Sequence, residues 1–232
     1  MNIPELSPRL CAVAEFVRSP SKVADVGTDH AYLPIYLVLT EKALAAVASD
    51  INAGPYLRAK QNVEAAGLDK KITTLCTPGL CGIESFSPTD ILVCGMGGEL
   101  IASILRDAPW TRDENIRLIL QPMTHPEILR EFLIENGYSI VGERLAKEEK
   151  IYQIICAQYT DSADTAYTDA ELLFGKLSAH EDLSLLPEIT DIRIKTLEKI
   201  KLSKLEGGAD TSAEDKLIAE IKEYRNDCKG II

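Results

Sequence analysis

The sequence predicts an α/β protein: a mostly parallel sheet between helices, finished by one antiparallel strand and followed by a helical hairpin. Three observations carry this. Strand-like and helical stretches alternate five times between residues 22 and 135, and such alternation builds parallel strands joined by right-handed crossovers. Two β-rich runs, YSIVGERL (138–145) and KIYQIICAQY (150–159), then flank a short charged turn. They form a hairpin, so the last strand runs against its neighbour. Beyond residue 160 two amphipathic helices surround Gly207-Gly208, the pattern of an antiparallel helical pair.

The elements follow in order. Leu6 to Val17 has apolar residues at 10, 13, 16 and 17, with Ser7-Pro8 as cap and first turn. KVADV (22–26) is a buried strand, and a helix runs from Ala31 to Leu39. ALAAVASD (43–50) is the second strand, Pro55 to Ala66 a helix closed by Gly67, and KITTLC (71–76) the third strand. DILVCG (90–95) is unbroken in apolar character up to its glycine, as a strand buried on both faces requires. Glu99 to Arg106 is helical, IRLILQ (116–121) is the fifth strand, and Pro126 to Glu135 is a helix ended by Asn136-Gly137. In the tail, a helix after Pro187 has apolar residues at 189, 192, 197, 200 and 205; a second, Ala213 to Arg225, has them at 217, 218, 221 and 224. The expected division is a sheet domain over 1–160 and a helical, coiled-coil-like domain over 161–232. A parallel sheet ending in an antiparallel strand is the layout of Rossmann-like class I S-adenosylmethionine-dependent methyltransferases; a dinucleotide fold would continue with parallel strands.

Composition narrows the class. With 232 residues and 46% apolar content, the chain can bury one sizeable core. No apolar run approaches the ~20 residues that span a bilayer, and MNIPELSPRL is not a secretory leader. Six cysteines at 11, 76, 81, 94, 156 and 228 form no C-x-x-C pair, so reduced thiols, no metal site and a cytoplasmic location are expected. A net charge of −11 argues against a general nucleic-acid binder, though it is silent on local patches.

The informative stretch is VADVGTDHAYLP (23–34). A dinucleotide turn reads G-x-G-x-x-G, so that backbone can approach a pyrophosphate at a helix N-terminus. Here Gly27 holds the first glycine position, Asp29 stands at the second, and the third is absent. A carboxylate there repels phosphates but attracts the sulfonium and amino group of S-adenosylmethionine; alternatively, Asp29 caps the following helix. Asp25 supplies an acid before the turn. Asp50 ends the second strand 23 residues after Gly27, the distance at which an acid accepts from ribose hydroxyls. Ile51 and Asn52 would lie along the adenosine. The fourth strand opens into GMGGEL (95–100), where Gly95, Gly97 and Gly98 bring backbone close to a ligand and Met96 can pack on a base. The fifth strand ends in LQPMTHP (120–126), where Gln121 would aim its amide over the same edge and Pro122 stiffens the loop.

Taken together, LSPRL, ADVGTDHAYLP, the D-I-N at 50–52, CGMGGELI, LILQPMTHPEILREFL, ENGYSIVGERL and KIYQII resemble the bacterial tRNA (adenine-N1)-methyltransferases that act on the D-loop-region adenine, adenine-22. The resemblance covers most of residues 5 to 160. It implies methyl transfer from S-adenosylmethionine to N1 of a tRNA adenine. One departure stands out: family members often carry Gly-Asp-Gly-Leu after the third strand, whereas this chain has Thr77-Pro78-Gly79-Leu80 and lacks that acid.

The chemistry sets what the site must supply. Adenine N1 has a free in-plane lone pair, so alignment and desolvation can carry the rate, and a paired base must first be exposed. The methylated ring is cationic until its exocyclic amine loses a proton. Asp29, the Gln121 amide oxygen and carbonyls at Gly95 to Gly98 are candidate acceptors; His30 and Tyr32 can stack or hydrogen-bond nearby, or else merely pack their helix. For tRNA phosphates, Arg193, Lys195, Lys199, Lys201 and Lys204 face a single Glu198 within residues 193–204, with Arg144, Lys147 and Lys150 near the hairpin; the bland alternative is a solvated helix face. A monomer is expected. The acidic charge favours a competing reading, a methyltransferase acting on a small molecule or protein.

Overall fold

The computed structural model of the protein describes residues 3–161 and 165–231. Its seven strands are Ser21–Val26 (β1), Ala43–Asp50 (β2), Ile72–Cys76 (β3), Asp90–Gly97 (β4), Arg117–Thr124 (β5), Tyr138–Lys147 (β6) and Ile151–Tyr159 (β7). They form one sheet in the order β3-β2-β1-β4-β5-β7-β6. β7 alone runs against the rest, inserted between β5 and β6 and antiparallel to both. The chain winds outward from β1 to β3, returns to β4, and winds the other way. The strand order therefore reverses between β1 and β4, and a crevice opens there at their carboxyl ends.

Both faces of the sheet are covered. Helices Pro8–Phe16 (α1), Tyr32–Leu39 (α2) and Ala53–Ala65 (α3) pack on one face. Their Val13, Leu37 and Val63 meet Val23 and Leu92 of the sheet. Helices Gly98–Arg106 (α4) and Pro126–Glu135 (α5) cover the other, where Ile101, Leu105 and Leu129 meet Ala24, Ile91 and Val93. Successive strand residues point to opposite faces. This is why β4 reads as a continuous apolar run: Leu92 serves one core and its neighbours Ile91 and Val93 the other.

The tail comprises helices Asp169–Phe174 (α6), Leu186–Glu206 (α7) and Ser212–Ile231 (α8). Leu186, Ile194, Leu197, Ile218 and Ile221 form a third core, which Leu145 of β6 joins. A buried ionic cluster fastens this tail to the sheet. Arg130 of α5 is fully buried, and Glu143 of β6 is 1% exposed. The guanidinium grips Glu143 through two bonds (3.0 and 2.5 Å) and also donates to Gln153 Oε1 at 2.7 Å and the Leu172 carbonyl at 2.8 Å. His180, whose sequence context suggested no role, bonds the Phe174 carbonyl at 2.7 Å beside this cluster; burial holds its pKa below the ordinary value.

The structure departs from the sequence expectations at element ends. β4 reaches Gly97 and β5 reaches Thr124, each past its expected end, because a bulge between Cys94 and Met96 lets pairing continue through Pro122. α8 runs to Ile231 rather than Arg225. Helix α6 and short 3₁₀ turns at Ile83–Phe86 and Pro109–Thr111 carried no periodic signal and were not expected.

Candidate active site

A cavity of about 710 Å³ opens at the carboxyl ends of β1, β2 and β4. The turn after β1 reaches it through Gly27, whose φ of +76° suits glycine, and any Cβ there would strike the Met96 side chain. Asp50, at the end of β2, lines the cavity at 8% exposure, and one of its oxygens accepts from the Asn52 N–H at 2.9 Å. Ile51, Asn52, Gly95 and Met96 line it as well. The glycine run after β4 has a packing reason too: a Cβ on Gly98 would collide with the His125 carbonyl. Gly97 and Gly98 thus bring α4 against β5 and lie outside the lining.

Asp25 lies below the turn, 5% exposed, and accepts from Thr28 Oγ1 at 2.6 Å. Burial pushes its pKa up to about 6; the Thr28 bond opposes this, and the Asp50 charge adds to it. Cys94 shares this environment, and burial raises its thiol well above the ordinary value, so it is an inert side chain here rather than a nucleophile.

Other expected site residues are placed elsewhere. Asp29 does not cap α2, whose N-cap position is Ala31 and has no side-chain bond. Its carboxylate is half-exposed and pairs with Arg58 Nη2 at 2.7 Å, with His30 at 3.4 Å. The guanidinium on α3 thus balances the charge that the sequence reading assigned to the sulfonium. His30 and Tyr32 stack on each other, centroids 5.2 Å apart and planes within 8°, with Tyr32 45% exposed. Gln121 is fully buried and turned inward. Its Oε1 accepts from Arg9 Nη1 at 2.6 Å and from the Gly95 N–H at 3.1 Å, and its Nε2 donates to the Pro122 carbonyl at 2.9 Å. Both ends of the amide are engaged, which leaves it no capacity to accept a proton from a substrate. His125 bonds Glu127 at 3.1 Å, next to Pro126, which opens α5.

Beyond the Thr77–Leu80 stretch, marked in the sequence by its missing acid, much of the cavity wall has no signature in the sequence. Thr77, Pro78, Gly79 and Leu80, where the acid is missing, line the cavity, as do Ser103, Ile104 and Asp107 of the α4 region, Trp110 and Glu84. These residues come together through two 3₁₀ turns that have no apolar periodicity to betray them. Among the described residues, the lining carries three carboxylates, Asp50, Glu84 and Asp107, and no lysine, arginine or histidine.

The proposed phosphate-binding residues divide. On α7, Lys201 pairs with Asp215 and Lys204 with Glu214 at 2.6 Å. Lys147 pairs with Glu188 at 2.7 Å, and Arg144 with Glu15 and Glu181. Among the described residues Arg193, Lys195 and Lys199 make no ion pair.

Residues 6–155 match a methyltransferase-domain family model. The chain is 40% identical over 178 residues to a tRNA (adenine(22)-N(1))-methyltransferase of Bacillus subtilis, spanning 76% of this chain and 74% of the relative. The crystal structure of the B. subtilis m1A22 tRNA methyltransferase TrmK superposes with a TM-score of 0.80 at 33% identity, covering 98% of this chain and 99% of that one. The structure of M. capricolum TrmK with S-adenosylhomocysteine gives a TM-score of 0.80 at 29% identity, with 95% and 98% covered. With its reversed β7, its crevice at the β1–β4 switch point and this kinship over most of its length, the chain belongs to the tRNA (adenine(22)-N(1))-methyltransferase family.

Proposed function

We propose that the protein transfers the methyl group of S-adenosylmethionine to N1 of a tRNA adenine, with the cavity at the β1–β4 crevice as the cofactor site. The observation that carries this is the charge of the lining. Three carboxylates and no base suit a ligand whose sulfonium and amino group are cationic, and disfavour a diphosphate. The buried Asp25, with its pKa pushed up to about 6, is a further acid that a cation would stabilise in its charged form.

The cofactor supplies an electrophilic methyl on sulfur; the chain supplies placement. Asp50 keeps one oxygen on Asn52, and the other is available to ribose hydroxyls. Gly27 lets backbone approach the ligand, Met96 packs over that glycine, and Ile51 lies beside the adenosine. Pro78 replaces the usual acid with an apolar contact, and the nearby wall offers Ser103 and Asp107 as polar groups. N1 needs no general base for attack, so the acceptor base has only to be exposed and aligned. The His30–Tyr32 stack, with Tyr32 half open to solvent, is a platform on which a base can stack. Asp29 holds that histidine, and its charge is shared with Arg58. Residues 1–160 are the transferase domain and 161–232 a helical domain that meets tRNA phosphates through Arg193, Lys195 and Lys199. The protein acts as a monomer in the cytoplasm; among the described residues no helix is long and apolar enough to cross a membrane.

The test is incubation with methyl-labelled S-adenosylmethionine and bulk tRNA. Label recovered as 1-methyladenosine is the expected result. Binding of S-adenosylhomocysteine with label only in a protein or small molecule would overturn the tRNA reading and keep the cofactor site.

A further inference from the structure

Gly95 is the extra residue of a bulge. Cys94 pairs with Gln121 and Met96 with Pro122, so the ladder skips Gly95, whose φ is +77°. Its N–H, left without a β5 carbonyl, is taken by the Gln121 side-chain oxygen at 3.1 Å. That same oxygen accepts from Arg9 Nη1 at 2.6 Å, a residue 112 positions away on α1. Arg9 is itself pinned: its backbone N–H donates to Glu148 Oε1 at 2.7 Å, and its guanidinium lies 5.3 Å from the centre of the Tyr152 ring. A helix outside the βαβ units thus reaches under the sheet edge to lock one bulge. Because a trans peptide aims its N–H and C=O in opposite directions, fixing the Gly95 N–H toward β5 fixes the Cys94 carbonyl away from it. Cys94, Gly95 and Met96 all line the cavity.

We propose that Arg9 is a positioning residue for methyl transfer: acting through Gln121, it sets the β4 bulge that presents the Cys94–Met96 backbone to the cofactor and the incoming base. This rests on the cofactor site proposed above. The charge of Arg9 matters as well as its reach, because a charge-assisted bond to the amide oxygen is shorter and stronger than a neutral one.

The test compares Arg9→Met, Arg9→Lys, Gln121→Ala and Arg9→Met/Gln121→Ala. Arg9→Met is expected to weaken S-adenosylhomocysteine binding and to lower kcat by roughly 10–100-fold. The KM for tRNA and its salt dependence should stay unchanged, and the melting temperature should fall only by the few degrees that losing one charge-assisted hydrogen bond costs. Arg9→Lys, which keeps a charged donor, should recover most of kcat. The double variant should be no worse than Gln121→Ala alone, because both act through one oxygen. The proposal is overturned if Arg9→Met raises the tRNA KM and flattens its salt dependence at constant kcat, since Arg9 would then contact phosphate. It is equally overturned if kcat, KM and melting temperature all worsen together without recovery by lysine, or if the two losses multiply. Affinity for S-adenosylhomocysteine is read without tRNA, so failure of the tRNA reading would appear in the wild-type protein and leave the comparison of variants intact.

Discussion

The two halves of the sheet hold their charges in opposite ways. On the β1–β4 side, Asp25 and Asp50 stand near one another with no cation against them among the described residues, and burial pushes Asp25 up to about 6. On the hairpin side, Glu143 is as deeply buried but is gripped by Arg130, which Gln153 and the Leu172 carbonyl also satisfy. A carboxylate kept without a cation is poised for a ligand; a carboxylate fully paired is a fastener. One half is built to receive something, and the other to hold the tail against the sheet.

The largest effect should come from breaking the fastener. Glu143→Leu strands a buried guanidinium, and urea unfolding should show a loss of about 3–5 kcal/mol. Removing both charges in Arg130→Met/Glu143→Leu should restore most of it; a single variant that unfolds like wild type would erase the contrast between the halves. The receiving half should respond in binding rather than in folding. Asp50→Ala should weaken S-adenosylhomocysteine by about 10–100-fold in calorimetry, the worth of a hydrogen bond to a charged group, with little change in the melting temperature of the free protein.

Next in size is a pH effect. Asp25 titrates near 6 in the fold against an ordinary value of 3.8. Between those values the folded state holds a proton that the unfolded state has released, so stability falls as pH rises through about 4 to 6. The drop should be about 1–3 kcal/mol, and Asp25→Asn should abolish it. A cationic ligand should reverse the preference and expel the proton on binding near pH 6, visible as a buffer-dependent heat; equal heats in phosphate and Bis-Tris would count against it. The smallest effect is expected on the tail surface. Lys201 is part-exposed beside Asp215, and Lys201→Ala should cost under about 1 kcal/mol.

What the sequence revealed follows the reach of each interaction. Strand β2 begins and ends at the expected residues, 43 and 50, because its apolar run and flanking turns are local. The placements of Gly27, Asp50, Gly95 and Met96 at the cavity were legible for the same reason: each sits at the end of a strand, and strand ends converge in this fold. Asp29 and Gln121 look, from the local sequence, as if they face the ligand, because their competitors are remote. Arg58 lies a helix away and Arg9 at the far end of the chain, and no local pattern announces either bond. Thr77 to Leu80 stood out only through the missing acid, and the wall from Cys81 to Glu84 was invisible, since 3₁₀ turns and loop residues carry no periodicity. The basic run on α7 was visible, but its neutralisation by Glu214 and Asp215 needed the second helix folded alongside.

That neutralisation bears on how a polyanion would be held. With Lys201 and Lys204 already occupied, docking along α7 would engage Arg193, Lys195 and Lys199. Three phosphate contacts displace few counterions, giving a log–log slope of only about −2 to −3. Grip would then change gently with ionic strength, and the choice among RNAs would rest on shape more than on charge, as suits a protein whose own net charge is −11.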